Sequence, residues 1–176
     1  IHRRTAVPAV DGYHPQSPKI EFARFNDAVD EVLDYLDALA WARPASAGIL
    51  NAQGLLASDR EFAHAVVGRI TEGFSAVDAV IEHLTRVARE LDALTDPYLR
   101  ERAQDVRSVR RLLLLALMRK PLAEDDPGEP CVWLVEELDA ATAIRLDQRL
   151  CLGVIAIAGG MHGHGALTAE AMGIPV

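Results

Sequence analysis

Cysteine is scarce in this sequence: Cys131 and Cys151 are the two among 176 residues. Their spacing matches neither a zinc knuckle nor a redox Cys-x-x-Cys, which excludes a disulfide scaffold or a thiol-metal site. Both are expected to be reduced and buried in strands. Aromatic residues make up 5%, so the core must be aliphatic, and a core of Leu, Val and Ala suits packed helices. Basic charge is short as well: 18 Lys and Arg stand against 26 Asp and Glu, a net charge of -8. Nucleic acid is therefore not an expected partner, because binding its backbone needs a basic face. A basic protein partner suits this balance better. The longest apolar run, Leu112 to Met118, is flanked by Arg110, Arg111, Arg119 and Lys120. It is far short of the roughly 20 residues of a membrane span. No apolar run follows Ile1-His2-Arg3-Arg4 to make a signal peptide. The expected setting is cytoplasmic, with no membrane partner.

What is present is mostly helical periodicity. Residues 1–19 carry Pro8, Gly12, Pro15 and Pro18 and read as irregular, with a short strand at Val7, Ala9 and Val10. From Glu21 the apolar residues Phe22, Phe25, Val29, Val32, Leu36 and Leu39 recur at helical steps up to Arg43-Pro44. Residues 44–57 suggest a loop or a short helix around Ile49 to Leu55. Ser58-x-x-Glu61 and Ser75-x-x-Asp78 read as capping boxes, and Asp96-Pro97 as an N-cap with proline at the first helical position. The two long helices meeting near Leu94 to Pro97 are expected to form an antiparallel hairpin.

Residues 120–130 hold Pro121, Pro127, Gly128 and Pro130 and read as a linker. The pattern then changes to strand at Cys131–Val135, short helix at 139–146, and strand at 150–158. Two glycines, two histidines and a helix from Ala166 to Met172 follow. Strand, helix, strand, helix argues a parallel α/β unit. Ile174-Pro175-Val176 resembles the entry to a third strand that is absent.

The turn from strand to helix, Gly159-Gly160-Met161-His162-Gly163-His164-Gly165, carries the candidate chemistry. Free N–H groups and the positive end of the helix dipole favour an anion such as phosphate there. A neutral imidazole can attack phosphorus, which makes His164 the candidate acceptor. Gly163 and Gly165 let the backbone approach the phosphate. His162 joins them in the phosphate-stabilising set. A metal pair His162-x-His164 is the alternative, but such a site needs three or four ligands. No metal is expected.

Gly159-Gly160, His164 four positions on, Ala169 and Gly173-Ile174-Pro175 resemble the phosphohistidine loop of the phosphoenolpyruvate-utilising enzymes. In that family the loop reads Gly-Gly-x-Thr-Ser-His, followed by an Ala-Arg pair and a Gly-x-Pro exit. The run from Asp96 to Arg107, the stretch Leu55-Leu56-Ala57-Ser58-Asp59 and the run Leu138 to Ala143 resemble enzyme I of the sugar phosphotransferase system. The resemblance spans residues 45–176, with support from Val7 onward. It implies an α + α/β fold: a helical-hairpin bundle at 20–120 that docks the carrier HPr, and an incomplete swivelling phosphohistidine subdomain at 130–176. Residues 1–19 would belong to the second of these. His164 would take phosphate from phosphoenolpyruvate in the full-length protein and pass it to HPr. Arg107, in the matching Asp-Val-Arg, would meet phosphate in transit. Leu55, Leu56, Asp59 and Glu61 would face the carrier. The barrel that binds phosphoenolpyruvate and Mg2+ is absent, so no cofactor is expected in this chain.

Three positions depart from the family pattern. His162-Gly163 replaces Thr-Ser, Glu170 replaces the arginine, and Asp139 stands where the family has a threonine. These changes favour, as an alternative, a catalytically degenerate carrier-binding module. The enzyme I-like segment of a dihydroxyacetone kinase phosphotransfer protein, which shares the same loop, is a further alternative.

Overall fold

The computed structural model describes residues 2–3, 13–123, 127–161 and 163–176. Helix α1, Pro18–Ala42, opens with proline in its first turn, where a missing N–H costs nothing. Phe25, Ala28, Val32 and Leu36 line its buried face at three- and four-residue steps. A short 3-10 turn, Pro44–Ser46, leads into α2, Ala47–Ala57, so the segment left open between loop and helix is helical. Gly54 lies against Leu33 of α1, where an added Cβ would just make contact at 3.5 Å.

Helix α3 is Arg60–Thr71, and its cap differs from the expected box. Asp59, not Ser58, accepts the N–H of Phe62 at 2.8 Å. Ser58 instead donates its hydroxyl to Gly54 O, closing the end of α2. Helix α4, Ala76–Asp92, starts as expected, with Ser75 accepting from Asp78 N. Helix α5, Pro97–Leu117, starts at Asp96, which accepts from Tyr98 N. α4 and α5 pack along each other as the hairpin. Buried Glu21 ties α1 to this layer: its carboxylate accepts from the Tyr13 hydroxyl at 2.6 Å and from Ala76 N at 2.9 Å. The latter is one of the N–H groups at the start of α4 that no helical carbonyl can satisfy.

The smaller layer is a parallel sheet. Strand β2 is Cys131–Val135 and β3 is Cys151–Ala156, paired in parallel. A third strand is present: β1, His2–Arg3, pairs with the free edge of β2. The order among the described residues is β1-β2-β3. The missing third strand was expected from the carboxy-terminal side. There Pro175 O accepts from Val154 N on the outer edge of β3. The strand expected at Val7, Ala9 and Val10 lies outside the described residues.

Helix α6, Ala140–Arg145, lies between β2 and β3 in sequence and touches both cores. Its Ala141 and Ile144 join the helical core with Phe25, Leu113 and Val109. Its Ala143 joins Trp133, Val135, Val154 and Ile174. A helix of small residues can be buried on nearly all sides, and this one brings the sheet onto the bundle.

Candidate functional site

The end of β3 leads into the glycine loop. Ile157 N and Ala158 N still donate to Val135 O and Glu136 O, so pairing runs two residues past the strand. Gly159 then takes φ 100, a conformation that strains any residue with a Cβ. Gly163 N donates to Gly160 O, closing the turn. Helix α7 is His164–Ala171, two residues earlier than the Ala166 start expected from sequence. Gly163 takes the N-cap conformation and Gly165 fits in the first turn, because a Cβ at 165 would overlap the Leu138 carbonyl. His164 is therefore the first residue of the helix rather than part of the loop before it.

Its side chain is 24% exposed, and Nδ1 lies 3.4 Å from Asp105 Oδ1 on α5. Asp105 is buried and makes two further contacts. Gln53 of α2 donates to Oδ1 at 3.2 Å, and Arg102 sits 3.1 Å from Oδ2. The Tyr98 hydroxyl, bonded to Arg102, and then Asp105 itself hold the Arg102 guanidinium pKa above its ordinary value. Three helices thus meet at one histidine. Oε1 of Gln53 is buried without a partner.

The other expected residues fall at different distances from this centre. Arg107 reaches across to the segment after β2: Nε and Nη2 donate to the two oxygens of Glu137 at 2.9 and 3.2 Å, and Nη1 to Asp92 at 2.9 Å. Burial works against its charge, but Glu137 and Asp92 outweigh that and raise its pKa. Glu137 in turn lies under Gly159, 3.4 Å from where a Cβ would stand. Arg107 therefore touches the loop through a carboxylate. Arg111 does the same for α6, 3.0 Å from Asp139 Oδ2, while Asp139 accepts from Thr142 N and its hydroxyl. The negative charge at 139, where the family has a threonine, is met by the Arg111 guanidinium and the first turn of α6. Glu170 is exposed, about 9 Å along the axis of α7 from His164.

Leu55 stands 73% exposed on α2, Leu56 is half-buried, Asp59 caps α3, and Glu61 is exposed in its first turn. His162 lies outside the described residues. Among the described residues no group of three or more His, Cys, Asp or Glu is arranged to hold a metal ion. No helix there is long and apolar enough to cross a membrane.

The family profile described as PEP-utilising enzyme, N-terminal, matches residues 2–102. The chain belongs to this family. The phosphoenolpyruvate-protein phosphotransferase of Streptomyces coelicolor is 32% identical over 178 residues, covering 99% of this chain and 32% of that protein. The Borreliella burgdorferi protein of the same name is 25% identical, over 88% of this chain and 28% of its own length. The chain thus spans less than a third of these curated relatives. Among solved structures, the N-terminal domain of Enzyme 1 - Nitrogen superposes with a TM-score of 0.66 and 26% identity, over 99% of this chain and 75% of that one. A solution structure of Enzyme I (nEIt) gives 0.72 and 27%, over 97% of this chain and 72% of the other. The fold, a mostly helical unit carrying a small parallel sheet, is that of the enzyme I amino-terminal domain.

Sequence reasoning missed Gln53, Gln104 and Glu137, and gave Asp105 no role at His164. Asp105 stood inside the Asp-Val-Arg stretch. Gln53 was a polar residue among the apolar residues of α2. Gln104 and Glu137 carried no signal, because their roles depend on how the sheet sits on the bundle.

Proposed function

We propose that this chain is the phosphohistidine and carrier-docking part of a phosphoenolpyruvate-dependent phosphotransferase, with His164 as the acceptor. The observation that carries the reading is His164 at the first position of α7, partly exposed, with one ring nitrogen turned to a buried carboxylate. With Nδ1 facing Asp105, Nε2 is the nitrogen free to attack. It forms a P–N bond as the bond to the donor breaks, and the donor leaves as enolpyruvate or as the carrier's imidazole. Uncapped N–H groups at the start of α7 suit the added negative charge. The carrier is HPr or an HPr-like protein, and the exposed Leu55 and Glu61 are its proposed contacts. Phosphoenolpyruvate and Mg2+ belong, in this reading, to a barrel domain of the full-length protein, in the cytoplasm. Asp105 and Arg102 would hold and balance the ring, and Arg107 would keep the loop in place through Glu137.

The test uses the chain as it stands, with phosphorylated HPr as donor. Acid-labile label is expected on the wild-type chain and not on His164→Ala. Label on both, or on neither, overturns the assignment. HPr binding by calorimetry that persists while neither chain takes label would favour the carrier-binding module instead.

A further inference from the structure

Gln104 reaches from α5 into the glycine loop. It is 92% buried, and its Nε2 donates to Leu138 O at 3.1 Å. A Cβ built on Gly163 would lie 2.5 Å from Gln104 Oε1 and 3.2 Å from its Cδ. One built on Gly159 would lie 3.8 Å from Nε2. The carboxamide thus fills the space that a side chain at 163 would occupy. Any residue but glycine there requires the end of the Gln104 side chain to shift, and with it the donor of the bond to Leu138. Leaving a buried carbonyl and amide unpaired is costly. The same Leu138 carbonyl is what Gly165 rests on. His164 sits between these two glycines, so its backbone is fixed on both sides by one carbonyl and one carboxamide. The next residue of α5, Asp105, meets its ring.

We infer that Gln104 is a positioning residue for phosphotransfer, matched to the absence of a side chain at 163. Its amide sets the loop on the Leu138 carbonyl and thereby holds the His164 ring against Asp105. Gln104 and Gly163 form one unit, so the effects of substituting them are not additive. The kinetic part rests on the proposed role of His164, and the geometric part does not.

The test is a double-mutant cycle of wild type, Gln104→Ala, Gly163→Ser and Gln104→Ala/Gly163→Ser. Each is read by the rate of label transfer from phosphorylated HPr, by the His164 ring signals in 15N NMR, and by the thermal midpoint. Gln104→Ala and Gly163→Ser are each expected to slow transfer about tenfold and move the ring signals, and the double variant, where serine enters the space the carboxamide leaves, to recover part of both. A double variant no better than Gly163→Ser, or either single variant identical to wild type, overturns the inference. A thermal midpoint that falls while ring signals and transfer stay unchanged also overturns it, by reducing Gln104 to a packing role. If the wild type takes no label, the phosphotransfer reading fails by itself, and recovery of the ring signals still decides the coupling.

Discussion

At the scale of single residues, His164 owes its surroundings to side chains on helices it does not belong to. Asp105 is buried, a state a carboxylate tolerates only with hydrogen-bonding or charged partners. Gln53, Arg102 and the imidazole supply them. The glycines around the histidine are required by neighbours rather than by flexibility. At Gly165 the obstruction is backbone, the Leu138 carbonyl, which cannot swing aside as a side chain can. Gly165→Ala is therefore expected to cost about 2–3 kcal/mol and to weaken the seating of α7 on the β2–α6 connection. Urea unfolding checks the first, and loss of amide-exchange protection in α7 the second. A variant as stable as wild type would contradict the packing described. The glycine-rich filling of the loop was legible in the sequence, where its expected use was room for a phosphate. That each glycine answers to Gln104 or Leu138 was not, because those contacts join residues far apart in the chain.

At the scale of elements, local chemistry placed most helices. Ser75, Asp96 and Asp139 each accept an N–H from the first turn that follows, as their short polar side chains favour. The one cap misread, Ser58 for Asp59, came from two adjacent residues with equal capping ability. The α2 hydroxyl bond to Gly54 settled it. The start of α7 was misjudged because glycine lowers helix propensity, and here tertiary contact with Leu138 overrides that cost. The α3–α4 contact also titrates. His83 of α4 packs against Phe62 of α3, the rings tilted 45° with centroids 5.5 Å apart. Its pKa lies below the ordinary 6.5 because of burial first and the nearby Arg86 second, against the opposing pull of Glu90, Asp59 and Glu82. The unfolded chain therefore takes the proton before the folded one does. The stabilisation is complete above about pH 6.5 and is lost as pH falls from there through the lower folded value. Urea midpoints at pH 7.5 and 5.5 should fall more for wild type than for His83→Gln. Equal falls would remove His83 from the account.

At the scale of the whole molecule, two cores are joined by α6, by Arg107 to Glu137 and by Arg111 to Asp139. The helical hairpin and the strand–helix–strand–helix order were legible from periodicity, because each is decided within a few dozen residues. The third strand was not, since residues 2–3 carry no alternation long enough to read and gain their pairing only from β2. The same docking brings α2, α5 and α7 together at one imidazole and leaves Leu55 exposed on the helix that also supplies Gln53. The proposed function depends on that meeting point, with His164 as the proposed carrier of the phosphate. The most direct measurement is a long-range 1H–15N spectrum of the histidine rings before and after addition of phosphorylated HPr. The account predicts a large shift at Nε2 of His164, with no phosphorylation shift at the other histidines and the shift abolished in His164→Ala. An unchanged His164 ring, or a phosphorylated ring at another histidine, would contradict it.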